Sequence, residues 1–185
     1  MRSDKFIKYT ASISEALQKA DFDKINILAD SILKAWQGNK QVFICGNGGS
    51  AANALHIAND LVYGAAKDKE KGIRAIALTG DISVITCIAN DVSYEDIFSR
   101  QLAVHAQSGD ILLALSGSGN SPNIVKAISE AKEIGMRTFA ILGFSGGRCL
   151  DLADVSIHFQ VDDMQISEDM QLIVGHMVMQ WLRDQ

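Results

Sequence analysis

"DILLALSGSGNSPNIVKAISEAKEIG" (110–135) changes texture twice in one short run. Residues 110–116 form a continuous apolar stretch, the pattern of a strand buried on both faces. Residues 116–123 then gather three serines, two glycines and the chain's only proline. Past Pro122 the sequence reads as a helix to about 134, closed by Gly135. A buried strand that enters a helix through a glycine and serine loop is one half of a parallel βαβ unit.

The same alternation runs outward in both directions. Apolar segments at 41–45, 73–78, 110–116, 137–142 and 154–159 read as strands. Helices are expected near 50–66, 82–90, 94–106, 122–134, 147–152 and 164–183. Two helical stretches precede them: Phe6, Ile13 and Leu17 can share one face, and Ile25, Leu28, Ile32, Leu33 and Trp36 form a clearer stripe that Gly38 and Asn39 end. The expectation is one α/β domain over 1–185, with N-terminal helices (1–38), an α/β core (41–185) and a parallel sheet covered on both faces. Ligands in such sheets sit beyond the carboxyl ends of the strands.

The chain has 185 residues, 48 % of them hydrophobic, and a formal net charge of −5. That charge argues against a nucleic-acid partner, which needs a basic face. No segment reads as a signal peptide or a membrane span, and no membrane partner is expected. Cys45, Cys87 and Cys149 are widely spaced and odd in number, which fits reduced thiols in the cytoplasm, each expected to be a small buried side chain.

A second glycine loop, "CGNGGSAAN" (45–53), follows the first strand as "SGSGNSPN" follows the third. Glycine lets a ligand approach the backbone, and a helix N-terminus offers unpaired N–H groups to an anion. One such turn is most often a capped turn that binds nothing; two at equivalent junctions favour a phosphate. The Walker lysine and the GxGxxG spacing are both missing, so a phosphorylated metabolite is preferred to a nucleotide.

Titratable residues occur in pairs. His56 and Asp60 lie four residues apart on one expected helix, and Glu168 and His176 lie eight apart on the last. Each alone reads as a solvated surface residue; together they suit acid/base chemistry or a Zn²⁺ site of mixed N and O ligands.

"CGNGGSAA", the histidine six residues past its serine, "ND", "YE", "FSRQ", "SGSGNSPN" and the final "IVGH" together resemble the sugar isomerase (SIS) family. Within it they are most similar to the bacterial phosphoheptose isomerases, over nearly the whole chain. The resemblance implies a flavodoxin-like three-layer αβα sandwich with a five-stranded parallel sheet. It implies conversion of sedoheptulose 7-phosphate to D-glycero-D-manno-heptose 7-phosphate through an enediol, and a homotetramer with shared active sites. Ser116, Gly117, Ser118 and Ser121 would hold the phosphate; Asn47, Gly48, Ser50, Asp91 and Glu168 would bind the sugar. Asp60 and His176 would transfer protons, and His56, Asp60, Glu168 and His176 would hold one zinc ion per subunit.

The chain departs from the family pattern at Asp60 (usually glutamate), Glu168 (usually glutamine), Asn53, Leu55 and Met164. A different sugar phosphate, or a non-catalytic SIS scaffold that binds a protein such as a replication initiator, are the alternatives.

Overall fold

The computed structural model describes residues 2–67 and 71–185. Helices α1 (Arg2–Gln18) and α2 (Phe22–Gln37) precede strand β1 (Gln41–Gly46). Helix α3 (Gly49–Val62), strand β2 (Arg74–Ala77), helix α4 (Ile82–Asp91) and helix α5 (Ser99–His105) follow. Then come β3 (Ile111–Ser116), α6 (Pro122–Ile134), β4 (Arg137–Leu142), α7 (Cys149–Leu152), β5 (Val155–His158) and α8 (Met164–Arg183). The strands form one sheet in the order β2-β1-β3-β4-β5, and every pairing is parallel.

Alternation along each central strand divides the interior in two. Val42, Ile44, Leu113 and Leu115 pack on one face with Leu28 and Ile32 of α2, Ile57 of α3 and Val174 of α8. Phe43, Cys45, Leu112 and Ala114 pack on the other with Leu102 of α5 and Ile124 and Ile128 of α6. Apolar residues at every position therefore serve two helical layers, which is the expected three-layer αβα sandwich.

Several element boundaries differ from the sequence expectation. The helix expected at 94–106 is a 3₁₀ turn, Tyr94–Asp96, followed by α5. The break lets Ile97 and Phe98 turn inward, where they are 2 % and 1 % exposed. The helix expected at 50–66 stops at Val62, and one 3₁₀ turn, Gly64–Ala66, follows. In α1 only Ala16 is buried. Ile13 and Leu17 pack against the core, but Phe6 is exposed, so the expected apolar face holds only in the second half. Cys45 and Cys149 are buried as expected, whereas Cys87 is exposed on α4. Among the described residues no helix is long and apolar enough to cross a membrane.

A polar contact joins α1 to α8: Tyr9 Oη donates to Asp169 Oδ2 at 2.5 Å. That hydrogen bond is the main reason the phenol is pushed up to about 12 from 10.0. A phenol with a raised folded pKa stabilises the fold below the unfolded value and loses that contribution as pH rises through the window between 10.0 and about 12. Tyr9→Phe is expected to melt below wild type at neutral pH by a small margin that closes across this window, measured by thermal unfolding.

Candidate active site

The carboxyl ends of β1 and β3 are adjacent, and chain order reverses between them. A crevice opens at such a point. Here it is a cleft of about 90 Å³ lined by Asn47, Ser50, Leu115, Ser116, Gly117, Ser118, Ser121, Met164 and Glu168. Pro122 occupies the first turn of α6, and Ser121, its N-cap residue, makes no side-chain capping bond, which leaves that hydroxyl free for a ligand. Ser116 Oγ accepts from Gly119 N at 3.0 Å, and Ser118 Oγ accepts from Asn120 N at 3.2 Å. These bonds fold the loop into a rim of hydroxyls at the helix N-terminus. Among the described residues no lysine or arginine lines the cleft. An anion there meets only neutral donors and the positive end of the helix dipole.

Glu168 sits at the opposite wall. Its carboxylate fills the space that a Cβ at residue 49 would take, so a larger residue at the start of α3 would push the Glu168 carboxylate aside. Gly48, the residue before it, is the N-cap of α3 and lies outside the cleft. Asp91 also lies outside the cleft of its own chain. It ends α4, exposed, where its carboxylate accepts from Asn90 Nδ2 at 2.7 Å and from the Cys87 thiol at 3.5 Å. That thiol bond is the main cause of the raised Cys87 pKa.

Helices α3 and α8 pack side by side. Asn53 Nδ2 donates to the Glu168 carbonyl at 2.9 Å and to Gln171 Oε1 at 3.1 Å, which ties the upper turns together. Farther along, His56 Nε2 and His176 Nε2 face each other at 3.0 Å. Asp60 Oδ2 lies 3.4 Å from the first and 3.5 Å from the second. The three residues form a group able to hold a metal ion. Two facing imidazole nitrogens need a shared proton or a cation between them. Tetrahedral zinc with bonds of about 2.0–2.1 Å holds its ligand atoms about 3.3 Å apart, so the donor set fits that ion.

Glu168 is not in this group. Eight residues of helix separate it from His176 by about 12 Å along the axis. Within one chain the expected four-ligand set is therefore split, three residues at the cluster and Glu168 in the cleft.

The SIS domain pattern matches residues 5–143. The chain belongs to the SIS domain family. The SIS chain is 41 % identical over 146 residues to the phosphoheptose isomerase of a Nitratiruptor species, covering 79 % of this chain and 78 % of that one. It is 39 % identical over 171 residues to the probable phosphoheptose isomerase of Thermoplasma acidophilum, covering 92 % and 93 %. The solved phosphoheptose isomerase from Francisella tularensis superimposes with a TM-score of 0.92 at 26 % identity over all of both chains.

Two features of this SIS site have no signal in the sequence. Asn123, only 1 % exposed, pairs with Asn47 across the crevice, and a lone asparagine in a first helical turn is too ordinary to mark. Gly175 is the other. A Cβ there would lie 2.6 Å from Ile57 Cγ1, so glycine permits the close approach that brings His176 to His56. Gly175→Ala is expected to cost about 1–3 kcal/mol by overpacking. The loss is read by thermal unfolding.

Proposed function

We propose that this SIS chain is a phosphoheptose isomerase that converts sedoheptulose 7-phosphate to D-glycero-D-manno-heptose 7-phosphate. The observation that carries the reading is the pairing of a rim of hydroxyls at the N-terminus of α6 with a His/Asp/His cluster on α3 and α8, the two helices that also supply Ser50 and Glu168 to the same cleft. Ser50 near the start of α3 lines the cleft, and His56 lies six residues further, about 9 Å along the helix. The relatives named phosphoheptose isomerase point the same way.

In this reading Ser116, Gly117, Ser118 and Ser121 hold the phosphate, and Asn47, Ser50 and Glu168 line the sugar, with Gly48 forming the turn between the first two. Asp60 and His176 carry the acid/base work. One removes a proton from C1 of the ketose, and the electron pair forms the enediol as the C2 carbonyl oxygen gains a proton. Return of a proton to C2, with loss of the C1 hydroxyl proton, leaves the aldose. His56, Asp60 and His176 would hold a zinc ion, with Glu168 as a further ligand only if supplied by another copy; a group bound to the ion cannot take up a proton, so Asp60 and His176 would act in acid/base chemistry only when released from it. Bound there, zinc would polarise a substrate oxygen.

We further propose a homotetramer in the cytoplasm with sites shared between copies. Helix α4 is apolar yet has no buried residue, and Ile82, Val104 and Tyr63 are 71 %, 76 % and 62 % exposed. Apolar exposure of this kind marks surfaces that another chain covers. Asp91 then meets the sugar of a neighbouring copy.

The test is to incubate purified protein, zinc-loaded and metal-stripped, with sedoheptulose 7-phosphate and to follow aldose formation by NMR. Aldose formation is the expected result; binding without turnover would move the reading to another phosphorylated ketose or to a scaffold.

A further inference from the structure

Asn47 and Asn123 join the two loops at the topological switch point. Asn47 follows β1, and Asn123 is the second residue of α6, after β3. Their carboxamides form a reciprocal pair: Asn47 Nδ2 donates to Asn123 Oδ1 at 2.9 Å, and Asn123 Nδ2 donates to Asn47 Oδ1 at 2.8 Å. Tyr94 Oη also donates to Asn47 Oδ1, at 3.1 Å.

An amide pair of this kind has two orientations, related by flipping both groups, and a tyrosine hydroxyl suits either because it can donate or accept. A backbone N–H cannot. The Ile124 N–H, shared with the Ser121 carbonyl, reaches Asn123 Oδ1 at 3.0 Å. It fixes the oxygen of Asn123 toward the helix backbone, and Asn123 then fixes Asn47.

The consequence for Asn47 is an inventory. Its Oδ1 accepts two hydrogen bonds, one N–H is spent on Asn123, and one N–H remains. We infer that Asn123, with Tyr94, is a positioning residue that locks Asn47 to face the cleft as a hydrogen-bond donor only, so that it recognises an oxygen acceptor on the sugar phosphate. Residue 47 lines the cleft with Ser50 and Ser116, whereas Asn123 and Tyr94 do not and act through it. This rests on the sugar-phosphate reading above and assigns what orients one of its contacts.

The experiment is a double-mutant cycle on Asn47→Ala and Asn123→Ala, read in the dissociation constant of sedoheptulose 7-phosphate by calorimetry and in KM and kcat by NMR. Asn123→Ala is expected to raise the dissociation constant and KM about tenfold, the loss of about one hydrogen bond. On the Asn47→Ala background it is expected to add less than twofold. Tyr94→Phe, at an exposed side chain, removes one of the two bonds to Asn47 Oδ1 without opening a buried space, and decides the matter if Asn123→Ala does not fold. It is expected to raise KM about threefold, an effect that vanishes once Asn47 is alanine.

A purely structural role would lower the active fraction, hence apparent kcat, at unchanged KM, and its losses would multiply with those of Asn47→Ala. That result overturns the inference and leaves the functional reading intact. A wild-type protein that neither binds nor isomerises this sugar phosphate overturns the functional reading, and the inference with it.

Discussion

Asp60→Asn is expected to fold, to keep most of its sugar-phosphate affinity and to lose about three orders of magnitude in turnover. The carboxylate is 15 % exposed and lies 3.4 Å and 3.5 Å from the two imidazole nitrogens. Asparagine matches its shape, and an amide oxygen can still face both histidines. What it cannot do is take up a proton. Positioned acid/base groups contribute about 10²–10⁴ to rate, and the expected loss falls within that range. Isomerisation in D₂O separates this from a packing defect. Wild type is expected to incorporate solvent deuterium at the reacting carbons, whereas the variant is expected to bind sedoheptulose 7-phosphate and leave its C1 protons in place. If Asp60→Asn keeps wild-type turnover and exchange, the proton-transfer role belongs elsewhere, and His176 is the next residue to replace.

The layered fold was legible because the central strands are apolar at successive residues: Val42 and Phe43 face opposite helical layers and both are fully buried. Strand β2 shows where that reasoning stops. "IRAIAL" has the same texture, yet Ile76 is 45 % exposed because β2 lies at the edge of the sheet. Edge or centre is a property of strand order, which no single segment encodes. The site was legible in the same partial way. Spacing of four residues places His56 and Asp60 on one face of α3, and packing of α3 on α8 adds His176. Spacing of eight does not serve Glu168, because two turns restore the direction approximately while moving the side chain about 12 Å along the axis. The Asn47 and Asn123 pair depends on two loops 76 residues apart meeting at the switch point. Local pattern contains no trace of that meeting.

The cradle's lack of cations leads to the second large effect. Ser118→Asp is expected to raise KM for a sugar phosphate by about 10²–10³ while leaving turnover at saturation within a few-fold. The loop has reason to survive the change, because the bond that Ser118 Oγ accepts from Asn120 N at 3.2 Å can also be accepted by a carboxylate. The ligand has no such alternative. Among the described residues only hydroxyls, the Asn47 amide and helix N–H groups offset its charge here, and one carboxylate, Glu168, already lines the cleft. A further negative charge about 4 Å from a phosphate dianion costs several kcal/mol at an effective dielectric near 20, reduced by the open mouth of the cleft. Glu168→Gln removes a like charge from the same wall and is expected to move KM the other way, downward by several-fold. The opposed signs matter more than either size. Steric damage to the cleft raises KM in both variants, whereas an electrostatic cradle without a cation requires one to rise and the other to fall.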